Sequence, residues 1–286
     1  MANLYRIAAV QFALKPVASL DEWAAQAETY VLTARREFDA QCVVLPEYCT
    51  GSLMSIPGNG KPSTIKDLAG YAPRYVQMFA GLARQEGLAI LAGTQIVGDG
   101  NKLYNTAHLF HADGRIDTQR KLHPTPTEAK AWGISGGDGL KLIDLPFGKS
   151  AMLTCYDVEF PELARQARAR GAQVIFCPSC TDDRHGFYRV RYTAQARAIE
   201  NQVYVVVSMT VGGVPVDNLR AHQGQAAILS PCDYPFPHGG VLAQGEMNQD
   251  MVVATDLDMD VLAHAQNGGS VRTWQDRRGD LYPFAE

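Results

Sequence analysis

The sequence predicts a layered α/β domain in which helices cover the faces of a sheet. Short apolar segments of strand length alternate with longer segments whose apolar residues recur at helical spacing. Some strands are separated by a helix and others follow each other directly, so we expect a mixed sheet. With 286 residues, 46% of them hydrophobic, the chain can build a sizeable core.

The first half of the chain is predicted to form a β-α-β unit followed by a meander. Ser19 and Glu22 have the spacing of a capping box, which opens the first helix. Residues 111–114 form a turn between two strands. The predicted strands are 5–12, 42–45, 88–97, 103–110 and 116–121, and the predicted helices are 20–38 and 71–86.

The second half repeats the alternation after a polar, glycine-rich stretch, 123–139. Pro161 suits the first position of a helix. The predicted strands are 140–144, 150–154, 173–177, 203–209, 225–229 and 251–256, and the predicted helices are 161–170 and 188–201. Residues 268–286 lack periodicity. Without a Pro/Gly/Ser linker or a repeat, we expect one domain over 1–286, with 268–286 as an extension that packs on a partner subunit.

Composition argues against several partner classes. The net charge is −4, and no block of like charge suggests nucleic acid or a membrane surface as a partner. The first residues lack the basic region and cleavage site of a secretion signal, and no apolar run could cross a bilayer. We therefore expect a cytoplasmic protein with six reduced cysteines. Without a phosphate-binding or dinucleotide-binding motif, no cofactor is expected.

Three residues stand at the ends of predicted strands: Glu47, Lys121 and Cys155. Taken singly, a cysteine is usually an inert core residue, a lysine a solvated charge and a glutamate a helix cap. Together they supply what amide hydrolysis requires. A thiol attacks, a carboxylate moves protons, and an ammonium group stabilises the oxyanion.

Three segments carry a family resemblance. LPEYCTG (45–51), RKLHP (120–124) and LTCYDVEFPELAR (153–165) resemble the signature segments of the nitrilase superfamily of carbon–nitrogen hydrolases, in the same order and at similar spacing. YNTAHLF (104–110) and RAIENQVYVV (197–206) extend the resemblance over almost the whole chain.

The resemblance implies a four-layer α-β-β-α sandwich. In it Glu47 acts as general base and acid, Lys121 steadies the tetrahedral intermediate, and Cys155 carries the acyl group as a thioester. Many members have a second glutamate that orients the lysine. Glu128 matches it as the only acid between Lys121 and Asp138, although the loop 123–139 is shorter and more polar than is usual in the family.

Several neighbours are predicted to line the substrate pocket. Tyr48 and Tyr156 adjoin catalytic positions, and Trp132 follows Glu128, where it covers the site or is simply packed. By resemblance, Cys180 forms one wall. The C-x-x-C spacing of Cys177 and Cys180 lacks a second pair, so no metal is expected.

Arg184 and His185 fall near the expected mouth of the site. One hypothesis is that either residue receives a carboxylate of the substrate, because a guanidinium grips a carboxylate in two places. The pattern favours the alternative, in which the arginines of this region pair with acids of their own chain or lie at a subunit interface.

The predicted activity is amidase-type hydrolysis of a small primary amide, because CYDVEFPE is typical of the amidase-like branches of the superfamily. Nitrile hydrolysis, N-carbamoyl-amine hydrolysis and acyl transfer remain open, as do a Cys–His dyad with His123 and a catalytically silent binding module. The expected partners are the substrate, water and a second copy of the chain. The resemblance implies at least a homodimer, paired through the helices predicted from Pro161 and Tyr188.

Overall fold

The computed structural model describes residues 3–56, 64–216 and 219–281, and within these ranges the chain forms twelve strands and six α-helices. The strands are β1 (Leu4–Leu14), β2 (Cys42–Val44), β3 (Ala89–Asp99), β4 (Lys102–Phe110), β5 (Ile116–Arg120), β6 (Leu142–Leu145), β7 (Gly148–Met152), β8 (Ala172–Ser179), β9 (Tyr204–Gly212), β10 (Ala227–Leu229), β11 (Val241–Gln244) and β12 (Met251–Asp258). The helices are α1 (Leu20–Arg36), α2 (Ala72–Glu86), α3 (Pro126–Lys130), α4 (Pro161–Ala169), α5 (Arg184–Asn201) and α6 (Met259–Gly268).

Strand β1 belongs to both halves of the sheet. It pairs in parallel with β2 over Ile7–Ala9 and with β9 over Gln11–Leu14, and it pairs antiparallel with β12. The strand order is β5-β4-β3-β2-β1-β9-β8-β7-β6, with β12 also on β1 and β10 also on β9. The half from β5 to β1 therefore joins the half from β9 to β6 through one shared strand.

Alternation along the strands separates three apolar cores. On β1, Ile7 and Ala9 lie in the core between the half-sheets, whereas Ala8 and Val10 pack with α1 and α2. The residues of β8 alternate in the same way between the inter-sheet core and the core under α4 and α5. Because a strand directs successive side chains to opposite faces, the result is a helix layer on each side of two sheet layers.

The helix ends follow their local sequence. Ser19 Oγ accepts the Glu22 N–H at 3.1 Å, so the predicted start of α1 is confirmed; the helix ends at Arg36, two residues before its predicted end. Gly87, with φ +67°, ends α2 in the left-handed conformation that glycine adopts without strain. None of the described helices is long and apolar enough to cross a membrane.

Four elements differ most from the predictions. Helix α5 begins at Arg184, four residues before its predicted start, because the Asp183 side chain accepts the Gly186 N–H at 2.6 Å. Strand β11 and helix α3 were not predicted. Strand β11 is half exposed and lacks a clear apolar pattern, and α3 has only five residues. Helix α6 lies between the last predicted strand and the segment 268–286, where no element was predicted, with Asp258 as its N-cap.

The described part of the C-terminal extension packs on its own chain. The Trp274 ring lies under the guanidinium of Arg277, 3.3 Å from the ring centroid, and near Arg168 of α4 at 5.3 Å. Thr273 donates a hydrogen bond to the Ile199 carbonyl of α5. Packing of this segment on a partner subunit stays a prediction.

Candidate active site

The predicted site residues come together at one end of the two half-sheets. Glu47 lies three residues after β2, Lys121 directly after β5, and Cys155 three residues after β7, while Glu128 lies on α3. All four are buried, with exposed fractions of 1% for Glu47, 1% for Lys121, 2% for Glu128 and 6% for Cys155. Three ionisable side chains and a thiol thus lie together, shielded from solvent.

The ammonium group of Lys121 bridges two carboxylates. Its Nζ donates to Glu47 Oε1 at 2.8 Å and to Glu128 Oε2 at 2.6 Å. An ammonium has three N–H donors, and among the described residues these two bonds leave one for another acceptor. The third N–H of the ammonium can therefore donate to one more negatively charged group, in addition to the two carboxylates.

The sequence prediction missed Asn105, whose side-chain amide bonds to the same two carboxylates. Its Nδ2 donates to Glu47 Oε1 at 2.8 Å and to Glu128 Oε1 at 2.9 Å. The available signal was an amide inside the strand-like segment YNTAHLF, which the structure buries in β4. Asn105 fixes the spacing of the two carboxylates without adding charge.

The Glu128 carboxylate is held by four donors. A capping box at the start of α3 supplies the Thr125 N–H at 2.8 Å, and the Tyr48 hydroxyl donates at 2.7 Å. Lys121 and Asn105 supply the other two. Charge-assisted hydrogen bonds of this kind fix a carboxylate firmly, which suits Glu128 to orienting the lysine.

Cys155 sits on a strained turn facing Glu47. Its φ of +48° lies in the left-handed region, which is costly for a residue with a side chain. The Sγ lies 3.6 Å from the Cys180 carbonyl oxygen, and the Cys180 N–H donates to Glu47 Oε2 at 3.0 Å. Cys180 therefore contacts both the thiol and the carboxylate.

Burial and mutual charge set the protonation states. Burial raises the pKa of Glu47 to about 7, against the opposing effect of Lys121. Burial and then the Glu47 charge raise the pKa of the Cys155 thiol well above its usual value. Burial by itself lowers the pKa of Lys121, but Glu128 and Glu47 outweigh it and the net pKa lies well above normal. Burial likewise opposes ionisation of Glu128, yet Lys121 brings its pKa below normal.

In the resting site Lys121 is thus an ammonium group, Glu128 is ionised and Cys155 is a neutral thiol. Glu47 exchanges its proton near neutral pH. A neutral thiol is a poor nucleophile and needs a base at the moment of attack. Glu47 is the group whose pKa suits that task.

His123 is directed toward Asp157. Its Nδ1 lies 3.0 Å from Asp157 Oδ1, and its ring stacks on Phe160 with centroids 3.8 Å apart. In the part of the chain that the structure describes, no hydrogen bond joins His123 to Cys155. The geometry therefore does not favour a Cys–His dyad.

The predicted pocket aromatics occupy different places. Tyr48 is buried, and the Trp132 ring packs edge-to-face on it with centroids 5.7 Å apart. The Trp132 Nε1 is buried without a hydrogen-bond partner among the described residues. Tyr156 is half-buried and packs on Phe160, with centroids 4.9 Å apart.

Arg184 and His185 lie in the first turn of α5, and both are exposed. The helix, rather than the predicted loop, carries them, because Asp183 caps it there. Farther along α5, Arg189 pairs with Glu159 at 3.3 Å. This pair agrees with the alternative in which arginines of this region bind acids of their own chain.

Comparison with known proteins identifies relatives along most of the chain. A family model described as carbon–nitrogen hydrolase matches residues 6–267. The probable hydrolase YhcX of Bacillus subtilis is 42% identical over 97% of this chain, which spans only 54% of that protein's length. The omega-amidase NIT2 of Xenopus tropicalis is 28% identical, over 99% of this chain and 98% of its own.

A solved structure shares the architecture. Nit3 of Saccharomyces cerevisiae, a member of branch 10 of the nitrilase superfamily, superposes with a TM-score of 0.76 at 24% identity, over 92% of this chain and 93% of its own. The predicted four-layer fold class is therefore confirmed.

Proposed function

The chain belongs to the carbon–nitrogen hydrolase family, which confirms the resemblance seen in the sequence, and we propose that it hydrolyses a small primary amide to an acid and ammonia. The observation that carries the proposal is the buried group of Glu47, Lys121 and Cys155, in which a neutral thiol meets a carboxylate with a pKa of about 7. A relative aligned over nearly its whole length is named an omega-amidase, which favours an amide over a nitrile.

In the acylation step, Glu47 takes the thiol proton while the Cys155 sulfur attacks the amide carbon. The carbonyl oxygen becomes an oxyanion, stabilised by the remaining N–H of Lys121 and by the backbone N–H of Tyr156. Glu47 then gives its proton to the amide nitrogen. The carbon–nitrogen bond breaks, ammonia leaves, and the acyl group stays on sulfur as a thioester.

In the deacylation step, the same carboxylate works on water. Glu47 accepts a proton from a water molecule, whose oxygen attacks the thioester carbon. The carbon–sulfur bond breaks, the acid leaves, and the proton on Glu47 returns to the Cys155 sulfur. Glu128 stays ionised throughout and holds Lys121 in place through its 2.6 Å hydrogen bond.

Activity should rise with pH through neutrality. Only ionised Glu47 can accept the thiol proton, and burial raises its pKa to about 7. We expect kcat/KM to be half-maximal near that pH and to fall about tenfold for each pH unit below it. Initial rates between about pH 5 and pH 8 measure the profile. A profile that stays flat across this range would rule out Glu47 as the base.

A panel of matched compounds tests the proposed reaction. The primary amide, the nitrile and the N-carbamoyl amine of one small carbon skeleton are incubated with the protein, and released ammonia is measured. Protein alkylated at its cysteines beforehand gives the background. We expect ammonia mainly from the amide. Turnover of the nitrile alone would contradict the proposal, and no turnover at all would favour a silent binding module.

The same panel tests the hypothesis that Arg184 or His185 binds a substrate carboxylate, which rests on their exposed position at the start of α5. Amides with and without a distal carboxylate are compared. If Arg184 binds that carboxylate, Arg184→Ala should lower kcat/KM for the acidic amide about tenfold, the effect of one lost charge-assisted hydrogen bond. If Arg184→Ala left the preference between acidic and neutral amides unchanged, Arg184 would not be the carboxylate-binding residue.

We also propose a homodimer that pairs through α4 and α5. Tyr188 and Tyr192 support this assignment, because they stack on each other on α5 and remain 43% and 66% exposed. Large exposed aromatics are enriched at protein interfaces. A dimer in solution that survives Tyr192→Glu would contradict it. Cytoplasmic location, and hydrolysis rather than acyl transfer, stay predictions.

A further inference from the structure

Asp157 is a buried carboxylate outside the Glu47, Lys121 and Glu128 network, and it is fully shielded from solvent. It accepts three hydrogen bonds, all from the two residues that follow Lys121. Leu122 N–H donates at 3.1 Å, His123 N–H at 2.8 Å, and His123 Nδ1 at 3.0 Å. A carboxylate can accept several hydrogen bonds at once, so this one side chain holds both Leu122 and His123.

The two ends of this contact belong to the nucleophile and to the lysine. The Asp157 N–H donates to the Thr154 carbonyl at 2.9 Å, within the turn that sets the conformation of Cys155. On the other side, the Lys121 N–H donates to the Asn105 carbonyl at 2.8 Å, at the end of β5. Asp157 therefore connects the turn of the nucleophile to the segment of the lysine.

The sheet itself does not fix the distance between Lys121 and Cys155. In the strand order, β5 and β7 are separated by β4, β3, β2, β1, β9 and β8, and they belong to different half-sheets. Any small shift between the half-sheets would move the ammonium relative to the sulfur. The Asp157 hydrogen bonds and the stack of His123 on Phe160 span that gap directly.

We propose that Asp157 is a positioning residue that holds the Lys121 ammonium at its working distance from the Cys155 sulfur. Asparagine at this position would present an NH₂ group to a backbone N–H, so that two donors would face each other. The connection would loosen although the side chain keeps its shape. A displacement of about 1 Å near reacting atoms can cost about 100-fold in rate.

Two readouts test this proposal. The first rests on the proposed function, because it uses amide hydrolysis, and the second does not depend on that function. The first readout is kcat and KM of Asp157→Asn on the preferred amide; we expect kcat to fall about 10- to 100-fold while KM changes by less than about threefold. The second is the rate at which iodoacetamide modifies Cys155, followed by mass spectrometry of its peptide. This rate should also fall, because a nearby ammonium stabilises the thiolate.

Tyr204→Phe is the matched control, because it removes a part-buried hydrogen bond of 2.7 Å from Tyr204, at the start of β9, to the Asp258 carbonyl, at the end of β12. It should lower the melting temperature but leave kcat and alkylation unchanged. Asp157→Asn with parental kcat and alkylation would overturn the proposal, and so would equal losses in the control at an equal melting temperature.

If Asp157→Asn does not fold, His123→Ala decides, with an expected loss in kcat of about three- to tenfold. An unchanged kcat and alkylation rate in that variant would overturn the proposal. If the parent releases no ammonia from any amide, the proposed function fails, and the alkylation rates alone judge Asp157.

Discussion

Cys155→Ala is expected to abolish ammonia release, with kcat reduced about 10⁴- to 10⁶-fold. The variant keeps Glu47 and Lys121 but has no atom that can form the thioester. The fold should persist, because alanine fits the space of a buried cysteine. In acid-quenched samples, mass spectrometry should find the acyl group on the Cys155 peptide of the parent and not on the variant.

The exposed Cys232 provides the matched control. Cys232→Ala removes a thiol from the surface instead of from the buried site, so its ammonia release should equal that of the parent. If Cys155→Ala released ammonia at the parental rate, a thiol mechanism through this residue would be wrong.

Lys121→Met is expected to lose both activity and stability. Without the ammonium, Glu47 and Glu128 become two buried carboxylates that, among the described residues, share only Asn105 as a donor. Removing one partner of a buried ion pair costs about 3–5 kcal/mol. Urea unfolding measures this loss, and ammonia release should fall to background because the oxyanion loses its charged donor.

The loss of stability in Lys121→Met should depend on pH. Without the lysine, the pKa values of both carboxyls rise in the folded state, so the folded protein binds protons more tightly than the unfolded chain does. Stability is then greatest at low pH and is lost as pH rises through the folded pKa values. The exposed Lys141 supplies the control: Lys141→Met should match the parent at every pH. A Lys121→Met variant as stable as the parent near about pH 8 would contradict the ion-pair geometry.

The sequence alone selected Glu47, Lys121 and Cys155 because each stands at the end of a predicted strand, and strands are recognised from their local residue pattern. Asn105 and Asp157 were not assigned to the site, since their roles depend on partners in other segments. Asp157 lies 34 residues from His123 in the chain, and the Cys180 N–H lies 133 residues from Glu47. No periodicity within a segment encodes such meetings.

Local errors had local causes. The start of α5 was placed too late because Asp183 was not recognised as a cap, and this put Arg184 and His185 in a loop. Helix α3 was missed although Thr125, Pro126 and Glu128 form a capping box, because five residues are too few for a helical period to appear. The first error concerns a boundary and the second a short helix, and neither affects the layered architecture.

The double membership of β1 has a consequence for synthesis on the ribosome. Residues Leu4–Gln11 of this strand lie beside residues Met251–Asp258 of β12, and Arg6 is ion-paired with Asp256. Strand β1 leaves the exit tunnel long before β12, so its edge along β12 stays uncovered until β12 has been synthesised. Contacts of such sequence separation form slowly, and an uncovered strand edge is prone to pairing with other chains. A nascent chain halted before residue 251 should thus depend on chaperones more than the finished protein does.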